Sequence, residues 1–314
     1  MQLGKSWCGG RNNGEWKMDE KISCLLGLQS RGEFHKVERG LMALLSTCLE
    51  SDSENSRSIL SGYVDHFQRI PFEEVGWGCV WRNIQILSSH LLAQRAEPRE
   101  AMYGGSGFVP DIPSLQRWLE IAWERGFDAP GADQKSESIY LSVPGSSVGA
   151  KELVRINDAR KRKAPNTYGP MEIYLSRAVA QASCCQDAKT CSSFIQIRDT
   201  VDKESSDDRV RRVLISHKTP LYFQHDGHSR TIVGIQVKHP RSGIPQYSLL
   251  VMDPGHRTAA LERSIREKVG WQKFIKRGVH TLRKLQYQLC YVDPGIASEE
   301  MEKLKTIDGV FLEF

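Results

Sequence analysis

The stretch Gly76-Trp77-Gly78-Cys79-Val80-Trp81-Arg82-Asn83 sets the tightest limit on how this chain folds. A glycine-flanked cysteine opens a run whose apolar residues, Val80, Ile84, Leu87 and Leu91, recur at three- and four-residue spacing. That spacing predicts a helix to about Gln94, with one face turned into a core and Cys79 in its first turn. Unpaired N–H groups and the positive end of the helix dipole there favour a thiolate, the reactive form of cysteine. Gly76 and Gly78 permit close approach of backbone or substrate, and Trp77 is placed to wall a cleft. A lone cysteine in such a setting is more often a buried structural residue than a nucleophile. Only partner residues separate the two.

Those partners come about 150 residues later. Residues 220–237 read as strand, tight turn at Asp226-Gly227, and strand, with His228 just past the turn. Tyr247 to Met252 is an apolar strand that ends on Asp253-Pro254-Gly255, a carboxylate before a Pro-Gly break. Cys79, His228 and Asp253 thus occur on a helix start and two neighbouring strands. A base can then take a thiol proton while a carboxylate orients the imidazole. In an extended strand successive side chains alternate, so His225 is expected to point away from the site that Gln224 faces.

The runs Gly76-Trp-Gly-Cys79-x-x-Arg82-Asn83-x-Gln85, Gln224-His-x-Gly-His228-Ser-Arg-Thr231 and Asp253-Pro-Gly255 resemble the peptidase family that processes the ubiquitin-fold modifier. Within it they are most similar to the zinc-finger-containing branch, whose members are deubiquitinases. The similarity runs from about Gly62 to Val292 and includes Ile112-Pro-Ser-Leu-Gln-Arg-Trp118 and the stretch from Glu124 to Ala132. The resemblance implies an α+β, papain-like cysteine peptidase with a mixed, largely antiparallel central sheet flanked by helices. It implies Cys79 as nucleophile, His228 as base, Asp253 as orienter and Gln224 as oxyanion donor. Trp77 and Trp81 are candidates to line a channel that admits a Gly-Gly tail, or else are core. The implied partner is ubiquitin or polyubiquitin, with the ubiquitin-fold modifier as the alternative substrate. A catalytically inactive ubiquitin-binding module and a thioester-forming acyltransferase are the other classes compatible with these motifs.

Composition narrows the setting. In 314 residues, 43 basic side chains against 38 acidic ones leave a formal charge of +5, too mild for a general nucleic-acid binder, so direct nucleic-acid binding is not expected. The basic clusters 160–163 and 209–212 read as solvated loops or flanks, with a localisation signal or an acidic-partner contact as the alternatives. Eight cysteines, at 8, 24, 48, 79, 184, 185, 191 and 290, show no regular spacing, and no secretory leader precedes them. Reduced thiols and a cytoplasmic or nuclear location are expected. No apolar run approaches the roughly 18 residues of a membrane span. No Cys-x2-Cys or His-x3-His pair accompanies Cys184, Cys185 and Cys191, so neither a structural zinc nor another cofactor is expected, and the zinc fingers of the resembled branch are missing.

Along the chain, residues 1–20 read as disordered, 21–58 as a helical arm built on Val37, Leu41, Leu44, Leu45 and Cys48, and 59–314 as the peptidase domain. Ser51 to Ser58 reads as a polar break. A helix over about 113–125 is capped by Asp111 or Ser114 and buries Leu115, Trp118, Leu119 and Ala122. Residues 139–170 depart from the family pattern, being too polar and basic around Asn157 to Asn166 for a buried strand. Further expected elements are a helix from Pro170, an insertion over 184–208, a short strand at 213–216, a basic helix over about 259–276 and a last strand at 287–292.

Overall fold

A computed structural model describes residues 18–52, 55–125 and 212–278 (apart from 95, 217, 226, 241, 242 and 244), 127, 282 and 287–290, and the backbone of 156–157 and 312–313. The helix expected from Pro170, the insertion over 184–208 and nearly all of 139–170 lie outside the described residues.

The chain enters through α1 (Met18–Leu28) and α2 (Leu41–Glu50), then β1 (Ser56–Leu60). The cysteine helix is α3 (Gly78–Gln94), followed by α4 (Ala96–Ala101) and α5 (Ile112–Glu124). A small strand β2 (Ile156–Asn157) precedes β3 (Val213–Ile215), β4 (Leu221–His225), β5 (His228–Lys238) and β6 (Gln246–Met252). Helices α6 (Thr258–Arg266) and α7 (Trp271–Ile275) lead to β7 (Lys276–Gly278), β8 (Gln288–Cys290) and β9 (Leu312–Glu313).

The long strand β5 is the spine of a seven-stranded sheet. Along one edge it pairs with β6; along the other, its first half pairs with β4 and its second half with β1, all antiparallel. β8 extends the sheet beyond β4, β7 beyond β6, and β3 lies parallel to β1, so the sheet is mixed. Apart from it, β2 and β9 form a parallel pair. Leu249, Leu250, Val251 and Met252 of β6 are buried in succession, the mark of a strand covered on both faces. The α+β expectation of a mixed sheet flanked by helices, with the cysteine helix packed on the sheet, is met.

The cysteine helix ends where its apolar period predicts, and Asp111 caps α5 by accepting from the Ser114 N–H at 2.9 Å. Other expectations fail for identifiable reasons. The polar break expected over Ser51 to Ser58 holds as a turn at Ser51 and Asp52 but gives way to strand β1 at Ser56, with Ser56 and Ser58 buried and facing the Gln236 amide at 3.4 and 3.2 Å. A polar pattern thus reads as a break when its hydrogen-bond partner is 180 residues away. The expected boundary between 58 and 59 falls inside that strand. Leu41, Leu45 and Leu49 of α2 share one core with Leu60, Ile86, Val233, Leu250, Met252, Leu261 and Trp271, so α2 is part of the body of the fold and not a detached arm. The helix expected over 259–276 is broken by Lys268 and Gly270, both at positive φ, into α6 and α7, after which β7 joins the sheet. α1 begins at Met18, inside the stretch expected to be disordered. Cys48 and Cys79 are free thiols, as expected, whereas Cys24 is disulfide-bonded. Among the described residues no helix is long and apolar enough to cross a membrane.

Candidate active site

Cys79 is held at the start of α3 by a clamp built from its own motif. Gly76, at φ 85°, turns the chain, and the Gly78 N–H donates to the Glu74 carbonyl at 3.0 Å. A Cβ on Gly78 would sit 2.4 Å from the Glu74 Cβ, so a side chain there would push the loop off the helix. Glu74 is buried and meets Arg82 twice, Nε to Oε2 at 3.0 Å and Nη2 to Oε1 at 2.5 Å, while the Ile70 N–H also donates to Oε2 at 3.1 Å. Arg82 donates a third bond to Gln85, whose amide donates to the Pro110 carbonyl. The Asn83 amide donates to the Cys79 carbonyl at 2.7 Å and the Ser229 hydroxyl at 3.0 Å, and its oxygen accepts from Thr231 at 2.6 Å. Arg82, Asn83 and Gln85 are therefore fasteners that fix the cysteine against β5.

The opposite wall comes from the β4–β5 hairpin and the end of β6. His228 opens β5, in register with His225 across the turn at Gly227. Its Nε2 donates to Asp253 Oδ2 at 3.0 Å, which leaves Nδ1 as the nitrogen for the thiol of Cys79. Burial pushes the Cys79 thiol up, but hydrogen bonds from His228 and Ser229, with the charge of His228, outweigh it and bring the thiol down to about 7. His228 is raised to about 9 by its bond to Asp253, then by its bond to Cys79, against the effect of burial. Burial raises Asp253, yet the His228 hydrogen bond and charge, the Gly255 N–H and Arg230 together hold it well below the usual carboxylate range. Near neutral pH the arrangement favours a thiolate beside an imidazolium that leans on a carboxylate. Such a group supplies a nucleophile and a proton donor together.

The other sequence candidates divide. Gln224 lies on the face of β4 shared with Tyr222, which packs with Cys79, Val80 and Leu87. The Tyr222 hydroxyl donates to the Gln224 side-chain oxygen, so the amide N–H groups are the end left to donate. His225 lies on the opposite face of β4 from Gln224, packed on Phe223 and Tyr287, as alternation predicts. That is the face of its cross-strand partner His228 and of Arg230, 2.8 Å from its Nε2, so it does not point away from the site as expected. Trp81 is 3% exposed and packs on Ile112 and Leu115 beneath α5, so it is core and does not line a channel. Trp77 is half-buried at the edge of the same cluster and keeps an exposed side.

Sequence reasoning did not single out Ser229, Arg230 or His66. Arg230 bonds Asp253 and His225, and its only signal was its place in the histidine run. His66 is buried, with Nε2 3.0 Å from the Asp253 carbonyl and Nδ1 2.8 Å from the Thr258 hydroxyl. A carbonyl only accepts, so Nε2 carries the hydrogen and Nδ1 accepts from Thr258. Burial lowers His66 to about 4, and a group depressed in the folded state stabilises above its unfolded value near 6.5 and loses that contribution as pH falls. Wild type is expected to lose about 3 kcal/mol from this residue between pH 6.5 and 4. His66→Gln, which keeps a donor for the Asp253 carbonyl, flattens that window. Urea unfolding at pH 7 and pH 4.5 measures it, and equal pH slopes for both proteins would refute the assignment.

Comparison with known proteins follows the same residues. The protein-family model described as peptidase family C78 matches residues 53–290. Zinc finger-containing ubiquitin peptidase 1 of Bos taurus is 30% identical over 280 residues, covering 87% of this chain and 44% of the bovine protein. The chain therefore spans less than half of that relative's length. Ubiquitin carboxyl-terminal hydrolase mug105 of Schizosaccharomyces pombe is 26% identical over 240 residues, covering 76% of this chain and 84% of the yeast protein. The crystal structure of UfSP from C. elegans overlaps 78% of this chain and 35% of its own, at 12% identity and a TM-score of 0.36. The matched span holds the Cys79 clamp, the β4–β5 hairpin and Asp253, and the chain belongs to peptidase family C78.

Proposed function

We propose that this protein is a cysteine-type deubiquitinase that hydrolyses the peptide or isopeptide bond after the C-terminal glycine of ubiquitin, in polyubiquitin chains, through Cys79, His228 and Asp253. The observation that carries this reading is the single imidazole between a thiol brought down to about 7 and a carboxylate 3.0 Å from its Nε2. The names of the bovine and yeast relatives support ubiquitin as the modifier.

In this mechanism the Cys79 thiolate attacks the carbonyl carbon and forms a tetrahedral oxyanion. The Cys79 backbone N–H and the Gln224 amide donate to that oxygen, a type of contact worth about 3 kcal/mol each in other hydrolases. The C–N bond breaks as His228 gives its proton to the leaving amine, leaving a thioester. Water then loses a proton to His228 as it attacks the thioester carbonyl. Collapse releases the carboxylate and returns the thiolate–imidazolium pair, with Asp253 holding the ring throughout.

The test pairs two activity probes, one a ubiquitin and the other a ubiquitin-fold modifier, each carrying a thiol-reactive group at its C-terminus. A covalent adduct with the ubiquitin probe and cleavage of polyubiquitin are expected. Adduct formation with the other modifier alone would assign the protein to that substrate, and binding without an adduct would make it an inactive recognition module. Because Tyr222 aims the Gln224 amide, Tyr222→Phe is expected to lower kcat about tenfold while KM holds. Steady-state kinetics on a ubiquitin C-terminal amide checks this, and unchanged kcat would remove Gln224 from the oxyanion site.

A further inference from the structure

We infer that Arg230 is a positioning residue of the catalytic group: its guanidinium shares the Asp253 oxygen that holds His228 and ties that carboxylate to His225, fixing where the imidazole is anchored. The inference rests on the reading of Cys79, His228 and Asp253 as the working triad.

Arg230 stands two residues after His228 on β5, so the two side chains leave the strand on the same face. Both end on one atom. Arg230 Nε donates to Asp253 Oδ2 at 2.8 Å and His228 Nε2 to the same oxygen at 3.0 Å, while the Gly255 N–H occupies Oδ1 at 2.8 Å. With donors on both oxygens the carboxylate cannot rotate without breaking a bond. The other end of the guanidinium is held as well, with Nη1 2.8 Å from His225 Nε2. A guanidinium has no acceptor, so His225 Nε2 accepts. That ring is itself wedged edge-on against Phe223 and Tyr287. The chain of contacts thus runs from an aromatic anchor through His225 and Arg230 to Asp253 and His228.

The plain alternative is that Arg230 merely staples β5 to the turn after β6. The sheet already does that work, since β5 and β6 pair from Thr231 and Met252 to Lys238 and Gln246. What the sheet leaves undetermined is the orientation of a side chain just past the end of β6, and this is what Arg230 sets. Its charge matters too. Around the carboxylate, Arg230 and His228 approach from β5, His256 from the following turn and Arg277 from β7, while His66 holds the Asp253 carbonyl and Cys79 faces His228 from α3. Arg230 repels the protonated ring of His228, but this is the smallest influence on that ring and the bond from Asp253 is the largest, so a carboxylate freed by loss of Arg230 lets His228 give up its proton at lower pH.

Arg230→Gln and Arg230→Lys, made in the full chain, separate the two roles. The readouts are the pH dependence of Cys79 alkylation by iodoacetamide, followed by peptide mapping, and kcat and KM on a ubiquitin C-terminal amide. In Arg230→Gln the alkaline inflection assigned to His228 is expected to move to lower pH in both profiles, as the bond from Asp253 loosens, and kcat to fall about tenfold with KM unchanged within about twofold. Arg230→Lys returns the inflection toward wild type by restoring a charged donor to Asp253. It recovers kcat only in part, because an ammonium cannot reproduce the fork between Asp253 and His225. His225→Phe keeps the packing on Phe223 and Tyr287, removes the acceptor and lowers kcat without moving the inflection. An unmoved inflection in Arg230→Gln, or a kcat loss accounted for by its lowered melting temperature, would overturn the inference. If wild type cleaves neither modifier, the functional reading fails, and the alkylation profiles still decide the role of Arg230.

Discussion

Cys79→Ala and His228→Ala are each expected to reduce turnover of a ubiquitin C-terminal amide by on the order of 10⁴-fold or more, while Asp253→Asn leaves a measurable residue. The first two losses have one cause. The thiol is drawn down to about 7 largely by its hydrogen bond to His228, so removal of the ring strands a buried thiol in its unreactive form and deletes the proton donor as well. Asp253→Asn keeps the size of the side chain but removes the charge that raises His228, and the amide can present its NH2 group to the ring and favour the wrong tautomer. Single-turnover kinetics on the three variants, with thermal melts to show that they fold, checks the ordering. Activity of Cys79→Ala near wild type would end the cysteine-peptidase reading. In wild type, activity is expected to rise as pH passes about 7, where the thiolate forms, and to fall as pH passes about 9, where His228 loses its proton.

Arg82→Met is expected to destabilise the fold by about 3–5 kcal/mol, the cost of leaving Glu74 buried with its two strong bonds removed. The loss falls on the loop that sets Cys79, because Glu74 also accepts from the Ile70 N–H and its carbonyl receives Gly78. Activity should therefore fall more steeply with temperature than in wild type. The double variant Glu74→Leu with Arg82→Met removes both charges and is expected to recover much of the stability, since a buried pair replaced by apolar groups is often nearly neutral. Urea unfolding of the two single variants and the double one provides the cycle. A cost below about 1 kcal/mol for Arg82→Met would show that the pair is solvated and does not clamp the loop.

Much of the site was written in short stretches of sequence. The period of Val80, Ile84, Leu87 and Leu91 fixed α3 and put Cys79 in its first turn, because a helix face is a local property of spacing. The turn at Gly227 and the apolar run before Asp253 likewise announced the hairpin and the third strand, and with them the order of the three polar residues. Alternation along β4 was enough to send His225 and Gln224 to opposite sides. Trp81 shows the limit of this kind of reading. Its position beside the cysteine left channel wall and core equally open, and only the packing of α5 over it made it core.

What the tertiary structure alone decided were the features whose partners lie far along the chain. β1 is legible as a strand only once Gln236 supplies hydrogen bonds to its buried serines, and α2 belongs to the main core only because the sheet and α6 close over it. Arg230 has no local signal beyond its place in the histidine run and His66 has none, since their meaning comes from Asp253, which is respectively 23 and 187 residues away. The sequence by itself determined which groups are the candidates for the chemistry and in what order they come. The fold decided how they are oriented and charged, because burial and hydrogen bonding to Asp253 are properties of an assembled interior and not of any one segment.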